Sequence, residues 1–439
     1  MKSKLARNLC LICTTVVLTS VLSGCKSNSK VADSNVETKV IKFVTPWKTD
    51  NGSGKVVNDL MTQYKKLHPE VTFETEALAQ NTDVTQKIQL LAASNDLPEM
   101  FTYEAGAPLG LLIKSGVVLN TEKTLTDMKL IDNVNPGAID NLKQLSPDGN
   151  LYALPLEMNI EGIWYNKKIF TDNNIEIPKT WDDLLKVADT LQAKNIQSFA
   201  VAGKEKWPIT RYINMLAMRK FGPDVMSQVA SGKISATNPD FVQCVKTVQD
   251  MAIKGYFGKG VNTIDYSTNT AAFFNGKVAM YYTGSWDLSA FNDPKQNLLG
   301  ADGMGYFNFP TLAGGVGKSD EYSINCGMIL AFAKDKFDTQ TSDWFKFLCT
   351  KFGDQAMNVD GIMSGFKVNN PPAKVPTYTK LMMDEQTKIK GAGPWFEAKF
   401  DSKTSDAAWN NAQMLVIKAI TPEEFCKNLD DSIKANITK

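Results

Sequence analysis

The sequence predicts an α/β protein of the doubly wound type, large enough for two domains. The chain runs to 439 residues, more than one hydrophobic core ordinarily organises. From Lys39 onward, short runs of strand formers alternate with segments of helical period, the pattern of successive β-α-β units. Hydrophobic (43%) and charged (22%) fractions are those of a folded domain in water.

Residues 1–24 read as an export signal. Lys2, Lys4 and Arg7 form a basic leader, and the apolar stretch from Leu9 to Leu22 is short for a bilayer span. It ends in Leu22-Ser23-Gly24-Cys25, which resembles the bacterial lipobox: small residues admit the peptidase, and the Cys25 thiol takes the lipid. The plainer alternative is an ordinary signal-peptidase site beside an incidental cysteine. Residues 25–38 are polar and without bulky apolar side chains, a flexible tether behind an acylated, palmitate-type anchor.

The doubly wound pattern then begins. Residues 40–44 form a strand, followed by a loop carrying Trp47, Lys48 and Asp50. Val57, Leu60, Met61, Tyr64 and Leu67 share one helical face. Residues 71–75 and 98–103 make two further strands around a helix marked by Ile88, Leu91 and Ala92. Trp47, Tyr103 and Glu104 fall just after strand ends, where open α/β sheets place ligands. Strand-like Ile163, Trp164 and Tyr165 precede a helix whose Thr180 N-cap and Asp183 form a capping-box pair, with Trp181 as a structural staple. Residues 198–202 read as a strand, which places Trp207 on a loop at the cleft edge.

The stretch 271–288 is the most informative. Asn275-Gly276 supplies the left-handed stop of a helix, residues 278–282 read as a buried parallel strand, and Gly284-Ser285 turns the chain to deliver Trp286. A core tryptophan is the bland alternative, but the setting favours a binding aromatic. Gly314-Gly315-Val316-Gly317 lacks the Lys-Ser/Thr of a phosphate loop and reads as a plain turn. Residues 323–332 read as one strand, and Phe345, Phe347 and Leu348 as part of the following helix. Trp395 looks exposed in Gly393-Pro394-Trp395-Phe396.

Composition also excludes classes. The formal net charge is +1, and loss of three leader cations leaves 45 basic against 47 acidic residues, so no basic face for nucleic acid is implied. His68 is the only histidine and lies in a helix-ending turn, which removes histidine-rich zinc sites and most triad chemistry. Cys10 and Cys13 sit in the leader; Cys244, Cys326, Cys349 and Cys426 show no metal-like spacing, and their pairing stays open. No metal or cofactor is expected.

Three segments carry a family resemblance: Asp148-Gly149 through Tyr152-Ala153-Leu154-Pro155; Ile163-Trp164-Tyr165-Asn166-Lys167 through Pro178-Lys179-Thr180-Trp181-Asp182; and Phe274-Asn275-Gly276-Lys277-Val278 with Gly284-Ser285-Trp286. In this order they resemble the family 1 extracellular solute-binding proteins, the sugar-capturing components of ABC importers. The resemblance implies two doubly wound α/β lobes joined by a multi-segment hinge, the periplasmic-binding-protein-like arrangement. The N-lobe would comprise 39–150 plus 323–366, and the C-lobe 151–322 plus 367–439. It implies a monomeric, non-enzymatic protein that binds a carbohydrate, closes, and is read by membrane permease subunits of the transporter, from the outer face of the cell membrane. Carried over residue by residue, the ligand contacts would be Trp47, Lys48, Asp50, Tyr103 and Glu104 on the first lobe and Glu157 or Asn159 near the hinge. Trp207, Trp286 and Trp395 would be stacking platforms on the second. Asn325-Cys326 departs from the glycine-rich sequence of relatives and leaves that hinge contact open.

The chemistry points the same way, since a sugar needs flat aromatic surface and polar partners for its hydroxyl edge. Three rivals remain at this level: a binder of a polyamine or phosphorylated compound, a surface glycoside hydrolase using Glu157 and Glu161, and an adhesive lipoprotein.

Overall fold

The computed structural model describes residues 38–437. Cys25 and the expected export signal over 1–24 lie outside the described residues. Ten strands occur among them: β1 (Lys39–Thr45), β2 (Val71–Ala77), β3 (Met100–Glu104), β4 (Asn159–Asn166), β5 (Gln197–Ala200), β6 (Val278–Gly284), β7 (Met304–Phe307), β8 (Glu321–Asn325), β9 (Met328–Phe332) and β10 (Gly391–Gly393). They form two sheets. The first has order β2-β1-β3-β9, with β1 parallel to both β2 and β3 and β9 antiparallel to β3. The second runs β10-β8-β4-β6-β5, with β7 also paired to β4.

Each sheet has its own core. The first joins β1, β3 and β9 to the helices Gly52–Leu67 and Thr339–Asp360 through residues such as Phe101, Leu60, Trp344 and Phe352. The second joins β4, β5 and β6 to the helices Trp181–Ala193, Trp207–Phe221 and Ser402–Val416, through residues such as Phe199, Leu184, Ile213 and Ala412. A satellite cluster around Trp164, Phe291 and Tyr378 covers the other face of β4 and β6. Two sheets with two cores give a two-lobed α/β molecule.

The chain passes between the sheets several times. Leu151, Ala153, Leu154 and Leu156 pack in the first core, and the chain reaches the second sheet at Asn159. β8 pairs with β4 through Asn325, whereas β9 begins at Met328 in the first sheet. The expected switches at 151 and 323 therefore sit several residues before these crossings, because both segments keep the packing of the element they leave. The single strand expected over 323–332 is two strands in two sheets. Gly327 at φ +61° breaks the run, and its N–H is taken by Asn325 Oδ1 at 2.8 Å. A third crossing departs after Phe366, and Gly365 N donates to Pro155 O at 3.0 Å, which sets two crossings side by side.

Local details follow the side-chain chemistry. The capping box of Thr180 and Asp183 is formed, and Trp181 is buried behind it. Asn275 caps its helix and Gly276 takes φ +70°. β6 is parallel to β5 but antiparallel to β4, so the strand expected to be parallel on the strength of its continuous burial is so on one edge only. Leu67, expected on the buried face of its helix, is 66% exposed. The stripe there continues instead to His68, whose ring stacks on Tyr64 at 4.2 Å. The sole histidine is thus a packing residue.

Candidate functional site

A line of buried polar groups follows the crossings. It begins at the N-terminus of helix Gly52–Leu67, where Ser53 Oγ donates to Glu157 Oε1 at 2.7 Å. Asn159 Nδ2 donates to Glu157 Oε2 at 2.9 Å and to Asn325 Oδ1 at 3.3 Å, and Asn159 Oδ1 accepts from Ser285 Oγ at 3.2 Å. Asn325 Nδ2 donates to Glu161 Oε1 at 2.6 Å. The other oxygen of Glu161 accepts from the Tyr282 hydroxyl and pairs with Arg211 Nε at 3.4 Å. Arg211 in turn donates to Glu397, which also accepts from the Trp409 indole N–H. These groups come from the helix Gly52–Leu67 of the first lobe, from β4, β6 and β8 of the second sheet, and from the Gly391–Phe400 region, so the line ties together segments distant in sequence. Burial would be costly for any of them alone; mutual pairing makes it tolerable.

Above this line the second lobe presents aromatic surface. Trp207 is the first residue of the helix Trp207–Phe221, entered through Lys206 at φ +66°. Trp207 is therefore helical rather than on the expected loop: Pro208 supplies a preset first-turn φ and needs no N–H partner. One turn later, Arg211 lies over the Trp207 ring, its Cζ 5.1 Å from the ring centroid. The Trp286 indole stands at 76° to that of Trp207, centroids 6.0 Å apart, and Tyr266 lies 6.1 Å from Trp207. All three rings are partly exposed. Two indoles at right angles, backed by a fixed guanidinium, form a corner with apolar walls and a charged floor.

Glu104, at the end of β3, faces the same charges from the first lobe. Burial and the carboxylates of Glu397 and Asp406 push its carboxyl up to about 7, while Arg211 pulls the other way. Burial likewise raises Asp287 to about 6, against the bonds it accepts from Tyr266, Thr283 and Tyr281. Glu157 is raised by burial too, opposed by its bonds from Asn159 and Ser53.

The structure brings Trp207 and Trp286 together, sets Glu104 within electrostatic reach of the Arg211 behind them, and places Glu157 and Asn159 in the hinge line with their polar atoms already engaged. Trp47 packs half-buried on the first core, edge-on to Phe43, while Lys48 and Asp50 are exposed beside it. One expected residue is buried, and one stands on the other lobe from that expected. Tyr103 is fully buried, because strand alternation turns it away from the face of Glu104 and into the core against Phe101. Trp395, partly exposed, packs against the first core rather than the second, so it stands on the first-lobe side; its segment crosses, with Phe396 in the second core and Ala398 in the first.

Sequence reasoning missed Arg211, Tyr266, Asp287, Glu397 and Trp409. Arg211 alone carried a readable signal, the four-residue spacing from Trp207, which becomes visible once Trp207 is placed on a helix. The others are assembled from distant segments. The open question at Asn325 is answered: its amide holds both Asn159 and Glu161, and the glycine the hinge needs follows at Gly327.

The model of the family described as bacterial extracellular solute-binding protein matches residues 48–348. The chain belongs to this family. Its relatives include a substrate-binding protein of an ABC transporter, and the protein is a solute-binding protein, not an enzyme. It is 26% identical over 363 residues to the multiple sugar-binding protein of Streptococcus mutans serotype c, covering 79% of this chain and 80% of that one. A structure from work on xylan utilization by the thermophilic bacterium Caldanaerobius polysaccharolyticus matches with TM-score 0.82 and 25% identity, over 90% of this chain and 99% of the other. A chitin oligosaccharide binding protein shares the fold, with TM-score 0.83, 24% identity, and 92% and 100% coverage. For this solute-binding protein the carboxylate pair Glu157 and Glu161 is structural: each is held by neighbouring protein donors, which leaves neither placed as a free acid and nucleophile.

Proposed function

We propose that this solute-binding protein captures a carbohydrate between its two lobes and presents it to the membrane permease of an ABC transporter. The observation that carries the reading is the corner of Trp207 and Trp286, two partly exposed indoles at 76° over Arg211. Indole faces cover the C–H faces of a sugar ring, and Arg211, Glu397 and Glu104 offer donors and acceptors to its hydroxyls. Trp47, Lys48 and Asp50 would close on the sugar from the first lobe. The multiple sugar-binding and chitin oligosaccharide binding relatives support a sugar ligand. Ligand touching both lobes would favour the closed form, with the crossings around Leu156, Gly327 and Phe366 as hinge.

The test is calorimetric titration of the sugars against the protein and against Trp207→Ala and Trp286→Ala. Each substitution is expected to weaken binding on the order of 10-fold or more, in keeping with about 0.5–1.5 kcal/mol per aromatic contact beyond area burial. Unchanged affinity in both variants would remove the corner from the site.

The protein would act as a lipoprotein monomer, anchored through Cys25 on the outer face of the cell membrane, with residues 26–38 as tether. Release of a Cys25→Ser variant into the medium, with the parent retained on cells, is the expected outcome; equal retention would count against the anchor. One observation favours a second reading. The carboxylates of Glu104, Glu397 and Asp406 lie close enough to influence one another, which would suit a polyamine. Arg211 among them, paired to Glu397, argues for a ligand of hydroxyls rather than of positive charge.

A further inference from the structure

We propose that Tyr266 and Asp287 are positioning residues that hold the Trp286 indole in its binding orientation before any ligand arrives; the proposal rests on the carbohydrate reading above. Tyr266 is the first residue of the helix Tyr266–Phe274, whose N-cap Asp265 accepts from Thr268 N at 2.8 Å, so its ring starts from a fixed backbone. The Trp286 Nε1–H donates to the Tyr266 hydroxyl at 2.7 Å, and that hydroxyl donates to Asp287 Oδ2 at 2.8 Å. An indole can only donate and a carboxylate oxygen only accepts, so the phenolic proton points to the Asp287 side, where Thr283 Oγ1 also lies within 3.2 Å of the hydroxyl. Asp287 Oδ2 also accepts from Thr283 Oγ1 at 2.8 Å and from the Tyr281 hydroxyl at 3.1 Å.

The opposite side of the indole is bounded as well. A Cβ on Gly284 would lie 2.2 Å from Trp286 Cζ3, so the ring occupies the space that any side chain at 284 would need. The indole is thereby fixed by a hydrogen bond at its edge and by bare backbone beneath it. Among the described residues no cation pairs with Asp287, whose charge is met by three hydroxyls. A tryptophan serving only to fill a core requires no such carboxylate. The titratable groups around Asp287 are Tyr266, Tyr281 and, more distantly, Glu157.

The test is the indole ¹⁵N–¹H spectrum of the ligand-free protein labelled at its eight tryptophans. The Trp286 resonance is assigned by its loss in Trp286→Phe. In the unsubstituted protein this indole proton should exchange with solvent at least tenfold more slowly than that of an unstructured tryptophan. In Tyr266→Phe and in Asp287→Asn it should shift and exchange at least tenfold faster, while the resonances of the buried Trp164 and Trp344 stay in place and report an intact fold. Unprotected exchange in the unsubstituted protein would overturn the proposal without any variant. So would an unmoved Trp286 resonance in Tyr266→Phe with the core resonances intact. Because no sugar is present, failure here is distinct from failure of the carbohydrate reading, which would show as no saturable sugar binding by the unsubstituted protein.

Discussion

Trp286 rests over Gly284, and the absence of a side chain there gives the indole a seat at the end of a strand that is otherwise completely buried. Trp395 has no comparable seat and turns onto the first core, although both residues follow a glycine and look equally exposed in the sequence. Neither residue type nor the glycine two positions back therefore separates the two; the space at that glycine does, since a Cβ on Gly393 would meet the Pro223 backbone rather than the Trp395 ring. Glu104 illustrates a second residue-scale effect. Its carboxyl, ordinarily near 4.5, is pushed up to about 7 by burial and by the negative charges beside it. The folded protein then binds this proton more tightly than the unfolded chain. The resulting stability is complete below about 4.5 and is lost as the pH rises through about 7. Urea unfolding of Glu104→Gln against the parent should show the variant more stable at pH 8, on the order of 1–3 kcal/mol, with the gap closing towards pH 4.5. A gap that is constant with pH would mean the carboxyl is not held in this way.

At the scale of elements, the β-α-β run before residue 105 was legible because period-2 and period-3.6 patterns alternate cleanly there, and the capping box of Thr180 and Asp183 was legible because it is local. What was not legible is where an apolar run changes sheets. Residues 323–332 read as one strand, because both halves are buried and pairing partners leave no mark in a single sequence; the switch depends on one left-handed glycine. Gly327→Ala tests that switch. A Cβ would combine φ +61° with a 2.4 Å approach to Glu157 Oε2, so a loss of about 1–3 kcal/mol in urea unfolding is expected. The bond from Ser53 to Glu157 would be disturbed with it. An alanine tolerated without change would contradict a fixed crossing at this residue.

At the scale of the whole molecule, the polar line from Ser53 through Glu157, Asn159, Asn325 and Glu161 to Arg211 and Glu397 joins the crossings to the aromatic corner. Its members span residues 53 to 397, which is why the sequence disclosed Trp207 and Trp286 but not the groups behind them. The same connection gives a physical route by which ligand at the corner and Glu104 on the first lobe would be felt at the hinge. The decisive question is whether a sugar occupies the corner of Trp207 and Trp286. Thermal unfolding of the protein against a panel of xylo-, chito-, malto- and raffinose-type oligosaccharides measures this most directly. A sugar at 100 times its dissociation constant should add about 2.7 kcal/mol and raise the midpoint saturably, and with Trp286→Ala at the same sugar concentration the gain should fall to about 1.4 kcal/mol or less. No shift with any sugar, together with a saturable one from a polyamine or a phosphate ester, would keep the fold and contradict the carbohydrate reading.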